Sequence, residues 1–323
     1  MPRTFLAQCI AGLQDVVADE LVRDVNADIQ HIEEGQVVFS GGKVDEPAYI
    51  NNLFLVLHSL KGRDMAFLLA ACAHETKWHV TARQNMNKGE ETFRLFLSDE
   101  NQLVSADKAP LGKLIAQIEK TCRVVHSSHR PDTEFWLFRR RGGAAYLCKR
   151  ITKNRQTEKD LKPGELRPEL AQLLCRLSEP AATDVFLDPF AGSGNIPAAR
   201  SEWPYKKIYA SDIAPKKSKI ETADALNLNK IADASIDKVV TDPPWGFFDN
   251  NIKDIPAFYK KTLQELCRVL KPNGIIVMLT GQRELAGELS RQFTDQLTLE
   301  HRYDILVSGK KASVMKWRRK NVE

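Results

Sequence analysis

The second half of this chain predicts an α/β domain on an open, mostly parallel sheet, and the first half an α+β module in front of it. Three observations carry that expectation. Val185-Phe186-Leu187-Asp188-Pro189-Phe190-Ala191-Gly192-Ser193-Gly194 is an apolar strand running into a glycine-rich turn, and Ile196-Pro197-Ala198-Ala199 behind it can start a helix. Four acids, Asp188, Asp212, Asp224 and Asp242, fall at or near the ends of successive strand-like runs, where ligands bind in open α/β sheets. The first half has no such rhythm, and its short segments fit a compact α+β module better than a parallel sheet.

Within the first half, residues 4–10 alternate enough for a strand, and residues 12–25 place Leu13, Val16, Val17 and Leu21 on one helix face. Residues 31–39 are strand-like around Gly35. Residues 46–60, with Ile50, Leu53, Phe54, Val56 and Leu57, have helical spacing. Residues 65–73 predict a helix, 78–82 a strand, and 110–122 a helix turning Leu111, Leu114, Ile115 and Ile118 inward. Residues 135–140 and 144–150 predict a hairpin across Arg141-Gly142-Gly143, whose glycines permit positive φ.

Residues 153–165 are polar and charged, contain Pro163-Gly164, and make the best linker. Leu166-Arg167-Pro168-Glu169-Leu170 then starts a helix with Leu170, Leu173 and Leu174 on one face, since proline suits a first turn. Residues 207–211 form the strand that ends at Asp212. Residues 255–270 are an amphipathic helix, and 271–274 a turn before a strand at 275–280. Residues 301–308 and 313–318 predict a closing antiparallel pair.

Thr241-Asp242-Pro243-Pro244-Trp245-Gly246 follows the apolar-containing run 236–240. Each proline fixes its own φ, lacks an N–H, and pushes its predecessor out of helical space. The elbow therefore presents carbonyls beside the Asp242 carboxylate, and Trp245 adds a flat face on which a base can stack. These groups suit the holding of a planar exocyclic amine by its two N–H groups. Such an amine is a poor nucleophile because its lone pair is delocalised into the ring. Hydrogen bonds to Asp242 and to the Pro243 carbonyl favour a more tetrahedral nitrogen, and the carboxylate stabilises charge that develops on it. Taken alone, the same residues also fit a proline-rich turn carrying an exposed acid.

The glycine turn lets a ligand approach the backbone, and a helix N-terminus favours a negative group. Pro197 holds the position of the third glycine in a dinucleotide fingerprint, which makes NAD the weaker expectation. Asp212 stands where an acid after the second strand of a nucleotide-binding sheet meets a ribose diol.

Composition fits a soluble protein of at least two domains. The 323 residues exceed the size at which one core keeps growing, and 43% hydrophobic with 28% charged residues is ordinary for globular chains. No apolar run approaches membrane-spanning length and the start Met1-Pro2-Arg3-Thr4 has no secretory pattern, so a cytoplasmic protein without a membrane partner is expected. Cysteines 9, 72, 122, 148, 175 and 267 form no Cys-x-x-Cys pair and read as reduced core residues. No metal is expected; His126 and His129 lie in a polar, loop-like segment. The net charge is +5, and basic clusters at 139–141, 149–155, 216–219 and 316–320 point together towards nucleic acid.

Asp188-Pro189-Phe190-Ala191-Gly192-Ser193-Gly194 resembles motif I of class I S-adenosylmethionine-dependent methyltransferases. The resemblance implies a Rossmann-like, mostly parallel seven-stranded sheet with that motif against the cofactor. It implies Asp212 and Ile213 at the ribose, Asp224 and Ala225 at the adenine amine, and Arg167 with Pro168 near the methionine end. Asp242, Pro243, Pro244 and Trp245 would be catalytic.

Phe5-Leu6-Ala7-Gln8-Cys9, Gly12-Leu13-Gln14-Asp15-Val16, Val80-Thr81-Ala82-Arg83, Pro131-Asp132-Thr133-Glu134-Phe135-Trp136 and Gly143-Ala144-Ala145-Tyr146-Leu147 resemble, in order, an RNA-binding THUMP domain behind its ferredoxin-like partner. Together the two halves are similar to the THUMP-containing tRNA guanine-N2 methyltransferases. That implies a ferredoxin-like part at 1–70, a THUMP domain at 71–152 and a catalytic domain at 166–323. It also implies a tRNA held at its acceptor stem and 3′ end by residues 1–150. Two alternatives stay open: adenine-N6 methylation of RNA or DNA, and a non-catalytic tRNA-binding protein on the same fold. The sequence carries no sign of oligomeric state.

Overall fold

The computed structural model describes residues 3–42, 44–152, 161, 165–215, 217–246 and 252–321. The expected linker lies almost wholly outside these. The chain divides into two compact units, residues 1–8 with 18–155, and residues 9–17 with 156–323.

The first unit is built on the elements β1 (Arg3–Gln8), α1 (Gln14–Val25), β2 (Asp28–Glu33), β3 (Gln36–Gly41), β4 (Asn52–Lys61), α2 (Met65–His74), α3 (Trp78–Gln84), β5 (Thr92–Asp99), β6 (Gln102–Leu103), α4 (Lys108–Cys122), β7 (Val125–His126), β8 (Thr133–Arg139) and β9 (Ala144–Arg150). The strands join one sheet in the order β2-β3-β1-β4-β9-β8-β5-β6, with β7 beside β5. Only β5–β8 and β5–β7 run parallel among these pairs. The β8–β9 hairpin is as expected, with Gly142 and Gly143 at φ +75° and +81°.

Four local expectations change. Residues 31–39 are not one strand but parts of the β2–β3 hairpin, because Gly35 at φ +73° turns the chain back. Residues 52–61 form strand β4 rather than part of a helix. Leu53 to Leu57 are all buried, as befits a central strand covered on both faces between β1 and β9, and so continuous an apolar run mimics helical spacing. Residues 78–82 lie in helix α3: the alternation of Trp78, Val80 and Ala82 carries no signal, since Val80 is 62% exposed. Strand β5 was not anticipated, although Phe93, Leu95 and Leu97 alternate inward along it.

Parts of two basic clusters are spent inside the fold. Arg139 pairs with Asp99 at 2.7 Å, Arg140 with Glu33, and Arg150 with Glu134 at 3.1 Å. Buried Lys149 donates to Glu90 and to the Asn85 carbonyl, each at 2.7 Å. Burial opposes the Glu90 charge, yet the Lys149 bond holds its carboxyl below the usual value.

Elements α5 (Pro168–Leu177), β10 (Val185–Asp188), α6 (Asn195–Arg200), β11 (Lys207–Asp212), β12 (Glu221–Thr222), β13 (Ile236–Thr241), α7 (Ile255–Val269), β14 (Leu270–Thr280), α8 (Arg283–Gln292), β15 (Leu297–Val307) and β16 (Lys310–Arg319) make the second unit. Its seven strands are ordered β12-β11-β10-β13-β14-β16-β15. Those from β10 to β14 pair in parallel, and β16 and β15 close the sheet antiparallel. Residues 271–274 stand out of the pairing, which passes from Ile236↔Leu270 to Lys238↔Ile275. The core joins Leu187, Val239, Ile276 and Met278 of the sheet to Tyr259, Leu263 and Leu266 of α7. The chain goes outward from β10 to β12 and returns to β13, so the strand order reverses beside β10. Crevices at such reversals are where open α/β sheets bind ligands.

The Lys149–Glu90 pair gives the first prediction. Lys149→Ala strands a buried carboxylate and should cost about 3–5 kcal/mol in chemical denaturation. A Lys149→Met/Glu90→Gln double variant should recover most of that loss, because no unpaired charge remains. The pair's stabilisation is present above the unfolded carboxyl's pKa of about 4.3 and should vanish as pH falls through the lower folded value. An alanine variant as stable as the parent would show that the pair does not hold the fold.

Candidate active site

At the end of β10 the Asp188 side chain is fully buried. Its Oδ1 accepts from Thr241 Oγ1 at 2.9 Å and from the Phe190 N–H at 3.2 Å. Its Oδ2 has no hydrogen-bond partner among the described residues. Burial pushes the Asp188 carboxyl up to about 8 against the pull of those two donors, with the charges of Asp242 and Asp212 adding to the rise.

The turn that follows depends on glycine. Gly192 and Gly194 sit at φ +46° and +79°, a region costly for other residues. Gly192 N–H donates to Asp212 Oδ2 at 2.8 Å and Ala214 N–H to Asp212 Oδ1 at 2.9 Å. The acid at the end of β11 is thus locked to the turn after β10, and each oxygen keeps a lone pair for a further donor. Beyond β12, Asp224 Oδ1 accepts from the Leu226 N–H at 2.9 Å.

Past β13 the elbow is held from several sides. Trp245 Nε1 donates to Asp242 Oδ1 at 2.8 Å. Tyr259 OH donates to the Pro244 carbonyl at 3.1 Å, and Gln282 Nε2 to the Trp245 carbonyl at 2.5 Å. Gly246 at φ +75° lies so near α7 that a Cβ there would stand 2.4 Å from Ile255 Cδ1. Burial pushes the Asp242 carboxyl up to about 7, and the indole N–H draws it down.

These strand ends enclose a cavity of about 1180 Å³, roomy for a nucleoside and a second base together. Pro189, Phe190, Ala191, Gly192, Ser193, Asp212, Ile213, Asp224, Ala225, Asp242, Pro243, Pro244 and Trp245 all line it. Asp188 and Gly194 do not, and act on the lining through the turn they bound. Arg167 and Pro168 also stand off the wall: Pro168 opens α5 and Arg167 precedes it at the N-cap position without a side-chain capping bond, while their neighbour Leu166 lines the cavity. Asn195 Nδ2 donates to the Leu166 carbonyl at 2.6 Å and ties that segment to the glycine turn.

The sequence did not single out Tyr259, Thr280 or Gln282. Tyr259 sits among the apolar residues of α7 and reads as core. Gln282, just past the end of β14, occupies the kind of strand-end position that drew attention to the four acids, and that rule would have found it. All six cysteines are buried, as expected of core residues. No helix among the described residues is long and apolar enough to cross a membrane.

The raised Asp188 carboxyl makes a prediction for the ligand-free protein. Its folded pKa, about 8, exceeds the unfolded value of about 3.9. Stability is therefore fullest below the unfolded value and falls as pH climbs through the folded one. Asp188→Asn, neutral throughout, should gain on the parent by more than about 1.4 kcal/mol, the worth of one pKa unit, between pH 5 and 8. A difference that does not change with pH would mean that Asp188 stays ionised.

The chain is similar to several known proteins. Residues 155–201 and 212–306 match the RMKL-like methyltransferase domain. The tRNA (guanine(6)-N(2))-methyltransferase THUMP3 of Mus musculus is 30% identical, over 38% of this chain and 30% of that protein. The U6 snRNA (guanine-N(2))-methyltransferase THUMPD2 of Bos taurus is likewise 30% identical, over 39% of this chain and 28% of that protein. The chain thus spans under a third of the length of these curated relatives. The crystal structure of TrmN from Thermus thermophilus covers 98% of this chain and 99% of its own, with a TM-score of 0.77 and 22% identity. Its likeness shows the fold alone, the expected α/β domain on a mostly parallel sheet following an α+β module in the chain. Over residues 155–201 and 212–306, less than half of the chain, the protein is thus similar to the RMKL-like methyltransferase domain.

Proposed function

We propose that the chain transfers a methyl group from S-adenosylmethionine to the exocyclic N2 of a guanosine in tRNA. The observation that carries this is the Asp242–Trp245 elbow on the wall of a cavity that Asp212 and Asp224 also line. The residues fit the nucleoside of the methyl donor. Ribose hydroxyls and an adenine amine need acceptors, and these two carboxylates, each already oriented by a backbone N–H, would supply them. When bound, the donor supplies an electrophilic methyl group. Guanine N2 is the choice because both curated relatives are named for that atom, one in tRNA and one in U6 snRNA. The THUMP-like first unit supports an RNA substrate, with residues 1–150 gripping the acceptor stem and 3′ end.

The elbow's own atoms do the rest. With Asp242 Oδ1 engaged by the indole, Oδ2 would receive one N–H of the amine and the Pro243 carbonyl the other. Two acceptors on one nitrogen localise its lone pair. The carboxylate offsets the positive charge that appears there, and a preorganised group does so at no cost in reorientation. A carboxyl with a pKa near 7 can then take the proton that the nitrogen must shed. Trp245 would cover the face of a base drawn out of its stack.

Nucleoside mass spectrometry of unmodified tRNA incubated with the protein and S-adenosylmethionine tests the assignment. N2-methylguanosine is expected. N6-methyladenosine would transfer the site to adenine, and activity on U6 snRNA alone would overturn the choice of tRNA. Asp242→Ala and Asp242→Asn should each reduce turnover at least about a hundredfold, the scale for losing one preorganised polar group, with donor affinity nearly intact. Near-parental rates for both would remove Asp242 from the chemistry.

The pH dependence supplies a separate check. Asp242 must be ionised to accept, so kcat/KM, which reports the free enzyme, should climb with pH to about 7 and then level. Trp245→Phe keeps a stacking face and substantial activity, but loses the N–H that draws this carboxyl down. Its acid limb should move to higher pH. An unmoved limb would mean that another group sets it.

A further inference from the structure

Pro243 and Pro244 have no N–H, so the elbow cannot brace itself with their backbone bonds and borrows donors from two neighbouring elements. Tyr259 of α7 is 1% exposed; its OH donates to the Pro244 carbonyl at 3.1 Å and lies 2.7 Å from Thr280 Oγ1. Thr280, also buried, accepts from the backbone N–H of Gln282 at 3.0 Å. The side chain of Gln282 returns to the elbow and donates to the Trp245 carbonyl. A phenol has one hydrogen, and here it goes to Pro244. Thr280 must therefore supply its own hydrogen to the Tyr259 oxygen. Gln282 N–H, Thr280, Tyr259 and Pro244 form one chain with a single sense, in which each bond polarises the next.

We propose that Tyr259, Thr280 and Gln282 are positioning residues for transfer to the amine, a role that rests on the elbow being the amine site. They take the carbonyls of Pro244 and Trp245. The Pro243 carbonyl and the outer oxygen of Asp242 are left as the pair of acceptors that face the nitrogen. The three side chains touch neither amine nor methyl donor; they fix the peptide planes on either side of the groups that do. Misplacing a reacting group by about 1 Å can cost a hundredfold in rate, so freeing these planes acts on turnover and spares binding.

The test uses the full chain with Tyr259→Phe, Gln282→Glu and the double variant, since each single change removes a donor and keeps the side chain's size. Single-turnover rates should fall about tenfold in each single variant and about a hundredfold in the double. Affinities for S-adenosylhomocysteine and for RNA should stay near parental values. Thr280→Ser, which keeps the hydroxyl, should stay near the parental rate, whereas Thr280→Val should behave like Tyr259→Phe. Crystal structures of the double variant with S-adenosylhomocysteine should show the Pro244 and Trp245 carbonyls turned from their present directions. Variants that melt earlier but turn over at the parental rate would assign the chain to stability alone and overturn the proposal, as would an unmoved elbow. If the parent itself methylates no RNA, the amine-site assignment has failed, and the crystallographic comparison alone decides whether these donors set the elbow.

Discussion

The hydrogen bond from Thr241 Oγ1 to Asp188 Oδ1, 2.9 Å long, joins the ends of β10 and β13, and the rest of the site is arranged about it. The two strands are far apart in the chain and adjacent in the sheet, with Leu187 opposite Val239. On the other side of β10, Leu187 faces Tyr209 of β11. One strand thus sets the depth of both neighbours, and because all three run parallel, their carboxyl ends reach the same edge. Asp212 ends β11, and Asp242 stands one residue past β13. A slip in either pairing would carry one acid away from the cavity and turn its side chain to the opposite face.

That edge gathers like charges, and the fold manages them unequally. Asp188 is the most enclosed, and burial drives its carboxyl towards the protonated form. Asp212 is compensated by two backbone N–H groups, and Asp242 by an indole N–H. Each of these acids therefore has a local donor that the sequence does not advertise. An edge with several carboxyl groups, none of them ion-paired among the described residues, favours a ligand that brings positive charge and hydrogen-bond donors. A nucleoside carrying a sulfonium has both.

Most of the second unit was legible because its signals are local. A glycine turn after an apolar strand, two consecutive prolines after another, and an acid at each strand end can be seen without knowing what lies beside them. The first unit was less so. Residues 52–61 satisfy helical spacing as well as strand burial, and only their place between β1 and β9 decides the matter. Trp78 is anchored by its indole to the Cys72 carbonyl across a helix junction, a contact that alternation could not reveal. In the site, what escaped notice was support rather than lining. Tyr259 and Thr280 look like ordinary members of an apolar helix face and a buried strand, and their role comes from carbonyls that only the folded elbow presents.

Charge carries the final step. Counted along the sequence, the basic clusters made a case for polyanions, but the fold spends much of that charge on its own acids. Lys316 pairs with Glu179 and Glu300, Arg318 with the same two residues, and Arg139, Arg140, Lys149 and Arg150 with acids of the first unit. A cation already paired releases less on meeting a phosphate, because forming the new contact requires breaking the old one. Charges so paired are scaffolding, and on the proposed reading RNA would be met by cations without such partners. Lys253 and Lys261, both exposed and lining the same cavity as the elbow, have no ion-pair partner among the described residues. They bring positive charge to the cavity that Asp242 also lines, so on the proposed reading phosphate capture and base presentation would share one wall.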